Sequence, residues 1–291
     1  MNPGPLAFLA AFVALAFSWA GYVLAPQIQI GREQPGTNTV NTAELYPQAR
    51  PGLARQGLEV YRAEGCAACH TEQVGQTGTM CEVLLTDAGT NQAALVTTLL
   101  KAGLGKSNPG QFLSDLPKAL LRTADPDEAD RLVNALKSAG AKAALRVVPV
   151  GPDITRGWGK RRSVARDYLY DDPVMVGSLR IGPDLANAGV RLPDLHWHLR
   201  HLYAPRSEVK GSVMPPYRYL FNKRPVVDGE KRAANALPAT VEPGFEITPK
   251  PEAEALVAYL MSLNASAPLV EAPVPMPPVK SATAVLAAPV P

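Results

Sequence analysis

The sequence predicts a mainly α-helical domain with long loops, which carries an inserted small α+β module and follows one N-terminal transmembrane helix. Three observations favour this fold class: an uncharged apolar run near the N-terminus, amphipathic helical segments near residues 60 and 256, and strand-like alternation between residues 80 and 150. Hydrophobic residues make up 46% and charged residues 19% of the 291 residues, which excludes wholesale disorder and a polytopic membrane protein. A formal net charge of +3, from 29 Lys and Arg against 26 Asp and Glu, predicts no nucleic-acid partner.

The apolar run covers residues 6–25, twenty positions without a charge. At about 1.5 Å per helical residue, this length reaches roughly the 30 Å of a hydrocarbon core. A cleaved signal peptide is the alternative, but no Lys or Arg precedes Leu6 and the run exceeds a signal core of roughly 7 to 15 residues. A buried core helix would need a polar stripe, which is missing. We therefore predict a retained transmembrane anchor at residues 1–25.

Composition divides the rest of the chain. Residues 26–53 carry scattered Pro and Gly, which is typical of a linker. Residues 54–79 and 151–264 are predicted to form the mainly α domain, with a first helix over 54–70, irregular structure up to Pro249 and a closing helix that begins near Thr248. Residues 265–291 contain seven prolines and are predicted to be a disordered Pro/Ala-rich tail.

The inserted α+β module is predicted at residues 80–150. Its elements, in chain order, are a strand at 82–85, a helix at 92–102, a strand at 119–123, a helix at 127–139 and a strand at 143–148.

Residues 66–70 contain the C-x-x-C-H pattern of covalent haem attachment. On a helix, Cys66 and Cys69 share a face and can form thioethers to two vinyl groups, while His70 can ligate the iron. A zinc site would need a second Cys or His pair at ligand spacing, and a thioredoxin-like pair would not need the histidine. One covalent haem c is therefore predicted. Because this haem is attached outside the bacterial cytoplasm, the domain is expected in the periplasm.

A haem iron with a histidine on one side needs a ligand on the other, and Met214 is the predicted one. It lies in a proline-stiffened loop, Ser-Val-Met-Pro-Pro-Tyr, that can present a thioether without packing it inside a helix. His/Met ligation raises the reduction potential, which suits electron transfer toward an oxidising acceptor. Met175 is the next candidate. Further candidates are Met80, Met261, His196, His198 and His201.

Other chemically distinctive residues have plainer interpretations. The histidines at 196, 198 and 201 lack a neighbouring carboxylate triad, which favours satisfied or haem-proximal side chains over a metal site. Of the basic residues between 156 and 166, Arg156 is our candidate for pairing with a haem propionate. Cys81 has no thiol partner and is predicted to be a buried strand residue.

The haem motif and the block 156–220 together resemble the monohaem second subunit of cbb3-type cytochrome c oxidases, in the C family of haem-copper oxidases. The stretches that carry the resemblance, with the family's pattern in brackets, are 57–66, 170–173 (Y-D-H-P), 177–185 (G-S-K-R-T-G-P-D-L), 197–206 (W-H-x-x-H-L-x-x-P-R) and 212–217 (S-x-M-P-x-Y). Asp172 and Leu179 stand where the family has His and Lys.

This resemblance implies a cytochrome c domain that holds one haem c, with Met214 as axial ligand, in a single-pass protein of the bacterial inner membrane. It also implies a polytopic catalytic subunit as partner, together with a further c-type cytochrome subunit. The chain would relay single electrons to the catalytic subunit and would have no oxygen-reducing centre of its own. Two alternatives stay open: an anchored carrier to another acceptor such as a nitric-oxide reductase, and a haem-based gas sensor.

The inserted module has a resemblance of its own. Its order of elements and the stretches 86–91 and 135–141 resemble the C-terminal domain of the bacterial ribosomal stalk protein. Since that domain's lysine-bearing Gly-Leu-Gly segment is only partly kept at 103–106, factor binding is not implied, and an accessory docking surface is our hypothesis for the module.

Overall fold

The structure is a computed structural model that describes residues 3–30, 36, 45–104, 113, 115–227 and 229–274. It divides into two compact units. Unit 1 consists of Met1–Val74 and Arg162–Ala272, and unit 2 is built around Gly75–Arg161. The borders of unit 2 therefore lie outside the predicted limits of the inserted module, residues 80–150.

The N-terminal apolar run is helical. Helix α1, Gly4–Trp19, passes through a π-helical turn, Ala20–Leu24, into helix α2, Ala25–Ile30. Within the residues described, Gly4–Gln29 is the one helix whose length and apolar composition allow it to cross a membrane. No residue of α1 or of the π-helical turn is buried by the described part of the chain, so the apolar side chains need another cover, as a membrane anchor would have.

Unit 1 is held by two amphipathic helices, α3, Gly52–Ala63, and α10, Pro251–Ser262. They cross at Gly57, where an added Cβ would come within 2.7 Å of the Tyr259 Cβ. Close approach there lets Tyr61 and Tyr259 pack with their ring centroids 5.2 Å apart, and both rings are fully buried. A side chain at residue 57 would force the helices apart, so the glycine sets the distance between them.

The remaining elements of unit 1 are short. They are helices α7, Ala188–Arg191, α8, Leu195–Tyr203, and α9, Pro205–Glu208, together with strands β4, Phe221–Pro225, and β5, Phe245–Pro249. The antiparallel pair β4 and β5 corrects the prediction of irregular structure before Pro249. The closing helix begins at Pro251, after β5 and not near Thr248. Helices, long loops and this small sheet are what the structure shows, and a mainly α cytochrome c fold stays a prediction.

Part of the predicted tail packs on unit 1. Leu269 and Ala272 are buried and form an isolated bridge, and the Arg162 guanidinium donates to the Glu271 carbonyl at 2.8 Å. The chain is therefore ordered against the domain as far as Ala272. The tail prediction for residues 275–291 lies outside the described residues.

Unit 2 has the element order predicted for the module: β1, Gly78–Asp87, α4, Gln92–Lys101, β2, Lys118–Thr123, α5, Pro126–Ser138, and β3, Lys142–Val150. The strands form an antiparallel sheet in the order β2-β1-β3. Cys81, Val83 and Leu85 on one face of β1 pack on the two helices, which confirms Cys81 as a buried strand residue. A four-residue helix, α6, Pro152–Thr155, follows β3.

The opposite face of β1 carries a fully buried carboxylate. Glu82 faces Arg122 of β2 and Arg146 of β3 in register, and its oxygens lie 3.3 and 2.8 Å from their guanidinium nitrogens. Both arginines retain contact with solvent, whereas the Glu82 side chain has none. The pairing thus ties all three strands together through one charge.

We expect Glu82→Gln to lower the free energy of unfolding of unit 2 by about 1–2 kcal/mol, because the charge-assisted hydrogen bonds to Arg122 and Arg146 become weaker bonds to a neutral amide. Hydrogen exchange of the β1 amides measures this loss. The control is Arg131→Gln, which breaks the exposed ion pair with Asp125 at 3.6 Å. This variant should change the free energy of unfolding obtained from exchange by less than about 0.5 kcal/mol. Equal exchange in the two variants would contradict the prediction.

Candidate haem-binding site

The C-x-x-C-H segment forms a tight turn directly after α3. The helix ends at Ala63, and Gly65 adopts a left-handed backbone, φ +68°, which reverses the chain before a 3-10 turn at Cys66–Ala68. The predicted helix over 54–70 was therefore too long, since the left-handed glycine ends it before the motif. Within the turn, the Cys69 and His70 amides donate to the Cys66 carbonyl at 3.1 and 3.0 Å. The turn places both thiols and the imidazole within five residues of compact backbone.

Both thiols of the motif are free and half-buried. Burial raises the pKa of the Cys66 thiol to about 12, and the neighbouring Glu64 carboxylate adds to the rise. Cys66 is therefore protonated at neutral pH. The geometry does not activate it as a nucleophile or as a thiolate ligand.

Residues 177–185 run alongside the motif and hold it in place. The amides of Ser178 and Gly182 donate to the carbonyls of Ala67 and Cys69 at 3.1 and 2.9 Å. Further along, the Leu185 amide donates to the Thr71 carbonyl at 2.7 Å. This segment is one of those in which the sequence resembles the oxidase subunit, and the tertiary structure lays it directly against Cys66–His70.

The His70 imidazole is fixed through one nitrogen. Its Nδ1 lies 2.8 Å from the Pro183 carbonyl oxygen, so Nδ1 carries the proton and Nε2 is left as a lone-pair donor. Burial lowers the pKa of His70, which the bond to Pro183 partly opposes, so the ring is neutral at pH 7. A neutral imidazole that donates one N–H to a backbone carbonyl, and keeps the lone pair of the other nitrogen free, is the usual arrangement of a metal-ligating histidine.

Gly182 allows the chain to pass directly over this ring. An added Cβ would lie 2.7 Å from Nδ1 and 2.8 Å from Nε2 of His70. The restriction comes from this close approach and not from the backbone conformation, because Gly182 does not have a positive φ. Glycine at 182 is thus a condition for the observed orientation of His70.

Met214 lies in the same apolar environment as the motif. It is half-buried and packs against the core of unit 1, as do Cys66, Ala67 and Met175. Its loop is held by the Tyr217 amide, which donates to the Leu202 carbonyl at 2.8 Å, and by the Met214 amide, which donates to the Ser212 hydroxyl at 3.3 Å. Both candidate thioethers therefore pack against the same core as Cys66, and the roles of Met214 and Met175 stay predictions.

The three histidines near residue 200 have separate environments. His198 is buried, and its Nε2 lies 2.9 Å from the Leu192 carbonyl, as expected for a satisfied core histidine. His201 stacks on Trp197 with ring centroids 4.7 Å apart, and burial lowers its pKa. His196 is exposed. Within the described part of the chain, no cluster of three or more His, Cys, Asp or Glu side chains suits a metal ion.

A buried polar cluster adjoins the site, and the sequence analysis missed it. The Glu72 carboxylate is 2% exposed and accepts hydrogen bonds from the Tyr259 hydroxyl at 2.8 Å to each oxygen. The Tyr168 hydroxyl donates to the Glu72 carbonyl at 2.6 Å, and Arg50 pairs with Asp171 nearby. Burial raises the pKa of Glu72 to about 8. A lone Glu two residues after the histidine has no distinctive sequence signal, so only the fold could reveal it.

This polar cluster forms one wall of a cavity of about 570 Å³ in unit 1. Tyr46 and the chain after α10, including Asn264, also line it. The Tyr46 hydroxyl donates to Asp167 at 2.6 Å and so joins the two chain segments of unit 1.

Residues of unit 1 fit a covalently attached haem. The structure provides two free thiols three residues apart, a neutral imidazole anchored at Nδ1, a glycine-lined approach to that ring and apolar side chains beside it. Arg156 belongs to unit 2, where it lies over the Trp158 ring at 4.9 Å with its side chain 58% exposed. Its assignment to a propionate therefore stays a prediction.

Comparison with known families supports the same class of protein. The family described as cytochrome C oxidase, mono-heme subunit/FixO, matches residues 146–255, which is less than half of the chain. A search of the curated proteins gave no match. The matched region contains Pro183, Asp184 and Met214 but begins after the Cys66–His70 motif. Over residues 146–255 the chain is therefore similar to the mono-haem subunit of a cytochrome c oxidase.

Proposed function

We propose that this protein is a membrane-anchored c-type cytochrome that relays single electrons to the catalytic core of a cbb3-type terminal oxidase. The observation that carries the proposal is the hydrogen bond between His70 Nδ1 and the Pro183 carbonyl, formed directly beside two free thiols. The family match adds support because it covers the segment that supplies this carbonyl.

The residues have distinct roles in this proposal. Cys66 and Cys69 would hold the haem through two thioether bonds, each made by addition of an S–H across a vinyl group without oxidation or reduction. His70, through Nε2, and Met214, through its sulfur, would be the residues that bind the iron. The bound haem supplies a one-electron redox couple. The protein's contribution is to hold these ligands rigidly and to keep water from the iron with the apolar wall around Met214 and Cys66.

The anchor and the haem together give the topology of the proposal. Helices α1 and α2 would cross the bacterial inner membrane once, and unit 1 would lie in the periplasm, where haem c is attached. The haem domain would then stand beside a polytopic catalytic subunit and a further c-type cytochrome subunit. With no oxygen-reducing centre of its own, the chain would serve the complex as an electron carrier.

The test is to express the full chain with its natural maturation machinery, extract the membranes with detergent and purify the tagged protein. We expect the intact mass of the chain to exceed the sequence mass by one haem, and a polytopic subunit to copurify. Cys66→Ala combined with Cys69→Ala should remove the added mass completely, because both thioether sites are lost.

Cys81→Ala is the matched control, since it removes a buried cysteine of unit 2 and should leave the added mass unchanged. Absence of the added mass in the wild-type chain would refute the haem proposal. Recovery of the haem-loaded chain without a polytopic subunit would refute the oxidase partnership and favour a stand-alone carrier.

A further inference from the structure

The buried carboxylate of Asp184 joins the residues that directly follow His70 to the segment whose carbonyl binds the imidazole. Asp184 is fully buried and follows Pro183, whose carbonyl accepts the His70 Nδ1 proton. We infer that Asp184 is a positioning residue, which fixes the Pro183 carbonyl against His70 and thereby sets the electron-donating strength of the imidazole. This inference rests on the proposed haem function.

The carboxylate of Asp184 contacts both of the chain segments that flank His70. Its Oδ2 accepts hydrogen bonds from the Thr71 hydroxyl at 2.6 Å and from the Gln73 amide at 2.8 Å. Its Oδ1 accepts from the Ala186 amide at 2.9 Å. One carboxylate therefore clamps residues 71–73, which follow the histidine, to residues 183–186, which supply its acceptor.

Two arginines reinforce the clamp. The Arg180 guanidinium donates through Nε to the Thr71 hydroxyl at 3.0 Å and lies 3.8 Å from Asp184 Oδ2. Arg191 donates to the backbone carbonyl of Asp184 at 2.6 Å. Asp184 is thus tethered through its side chain and through its own backbone carbonyl, which leaves the preceding Pro183 carbonyl little freedom to turn away from the ring.

The orientation of this carbonyl has an electronic consequence. A firm Nδ1–H···O bond raises the electron density of the imidazole and makes it a stronger ligand, and partners of this kind affect metal sites strongly. A stronger donor stabilises ferric over ferrous iron, so a loosened bond should raise the reduction potential. The negative charge of the Asp184 carboxylate also favours the ferric state. The test must therefore separate the effect of this charge from the effect of Asp184 on the position of the Pro183 carbonyl.

The experiment uses the haem-loaded full chain and compares two variants. Asp184→Asn removes the charge and weakens the clamp, whereas Thr71→Val keeps the charge and removes the hydroxyl that Asp184 and Arg180 share. The main measurement is the exchange rate of the His70 Nδ1 proton in the reduced protein, followed by NMR. We expect exchange at least tenfold faster in Asp184→Asn and several-fold faster in Thr71→Val, with a raised potential in both.

Asp167→Asn is the matched control. Asp167 also accepts hydrogen bonds in unit 1, from the Tyr46 hydroxyl and the Val164 amide, and both of these partners lie outside residues 70–73. Its variant should keep the wild-type exchange rate. If Asp184→Asn fails to accumulate, Thr71→Val retains the carboxylate and carries the test.

Wild-type exchange rates in both Asp184→Asn and Thr71→Val would overturn the positioning role, even if the potential rose in Asp184→Asn, because charge alone would then explain the rise. This failure differs from failure of the proposed function. In the latter case the wild-type chain would carry no haem, and no iron-bound His70 signal could be followed at all.

Discussion

Replacement of Gly182 by alanine should abolish the normal haem spectrum of this protein. The new Cβ would lie 2.7 and 2.8 Å from the two nitrogens of His70, far closer than van der Waals contact allows. Since the Gly182 amide is bonded to the Cys69 carbonyl, the backbone cannot retreat without losing that bond, and the ring must turn away from Pro183. Overpacking of this kind costs about 1–3 kcal/mol, and here the strain falls on the metal ligand.

The measurement is the absorption spectrum of the oxidised and reduced protein together with the yield of haem-loaded chain. We expect loss of the low-spin bands and a severalfold lower yield in Gly182→Ala. Gly52→Ala is the matched control, because a Cβ added there, at the start of α3, would have no atom within 4 Å. A normal low-spin spectrum in Gly182→Ala would show that His70 is not the iron ligand in this orientation.

Met214→Ala should convert a six-coordinate haem into a five-coordinate one and lower its reduction potential. A thioether ligand favours ferrous iron, so its loss should lower the potential by about 0.1 V or more, within the roughly 0.8 V range that axial ligands span. The vacant position should also admit carbon monoxide to the ferrous protein without displacement of a ligand. Redox titration and carbon monoxide difference spectra measure both effects.

Met175→Ala is the control that the structure offers, since Met175 and Met214 are both half-buried and pack against the same core. It should lose packing energy but keep a six-coordinate spectrum. The reverse result, with Met175→Ala opening the site, would transfer the ligand role to Met175. If neither variant changes the spectrum and the wild-type ferrous protein already binds carbon monoxide readily, the carrier proposal fails and a gas sensor is favoured.

Local patterns predicted unit 2 well. Its three strands and two helices lie within a few residues of the predicted positions, since apolar alternation on β1 and the glycine after α5 are direct consequences of how such elements bury one face. The hairpin of β4 and β5 was missed because four of the five residues of β4 are exposed. Such a strand has no buried face to produce an alternating pattern.

The residues of the candidate site also differ in how far the sequence alone could identify them. Cys66, Cys69 and His70 could be named as candidates from the sequence because thioether attachment depends on spacing within five residues. Gly182, Pro183 and Asp184 entered the sequence analysis only as part of a family pattern, and their contacts with residues 70–73 join positions more than a hundred residues apart. Glu72 carried no signal, because its burial against Tyr259 depends on how α10 packs.

By itself, the sequence determined the apolar N-terminal helix, the attachment motif and the elements of unit 2, because each depends on neighbours a few residues apart. Only the tertiary structure decided which carbonyl holds the imidazole, which glycine permits that approach and which carboxylate fastens the two segments. Contacts of this kind depend on how distant parts of the chain pack together, and periodicity and spacing carry no information about that packing.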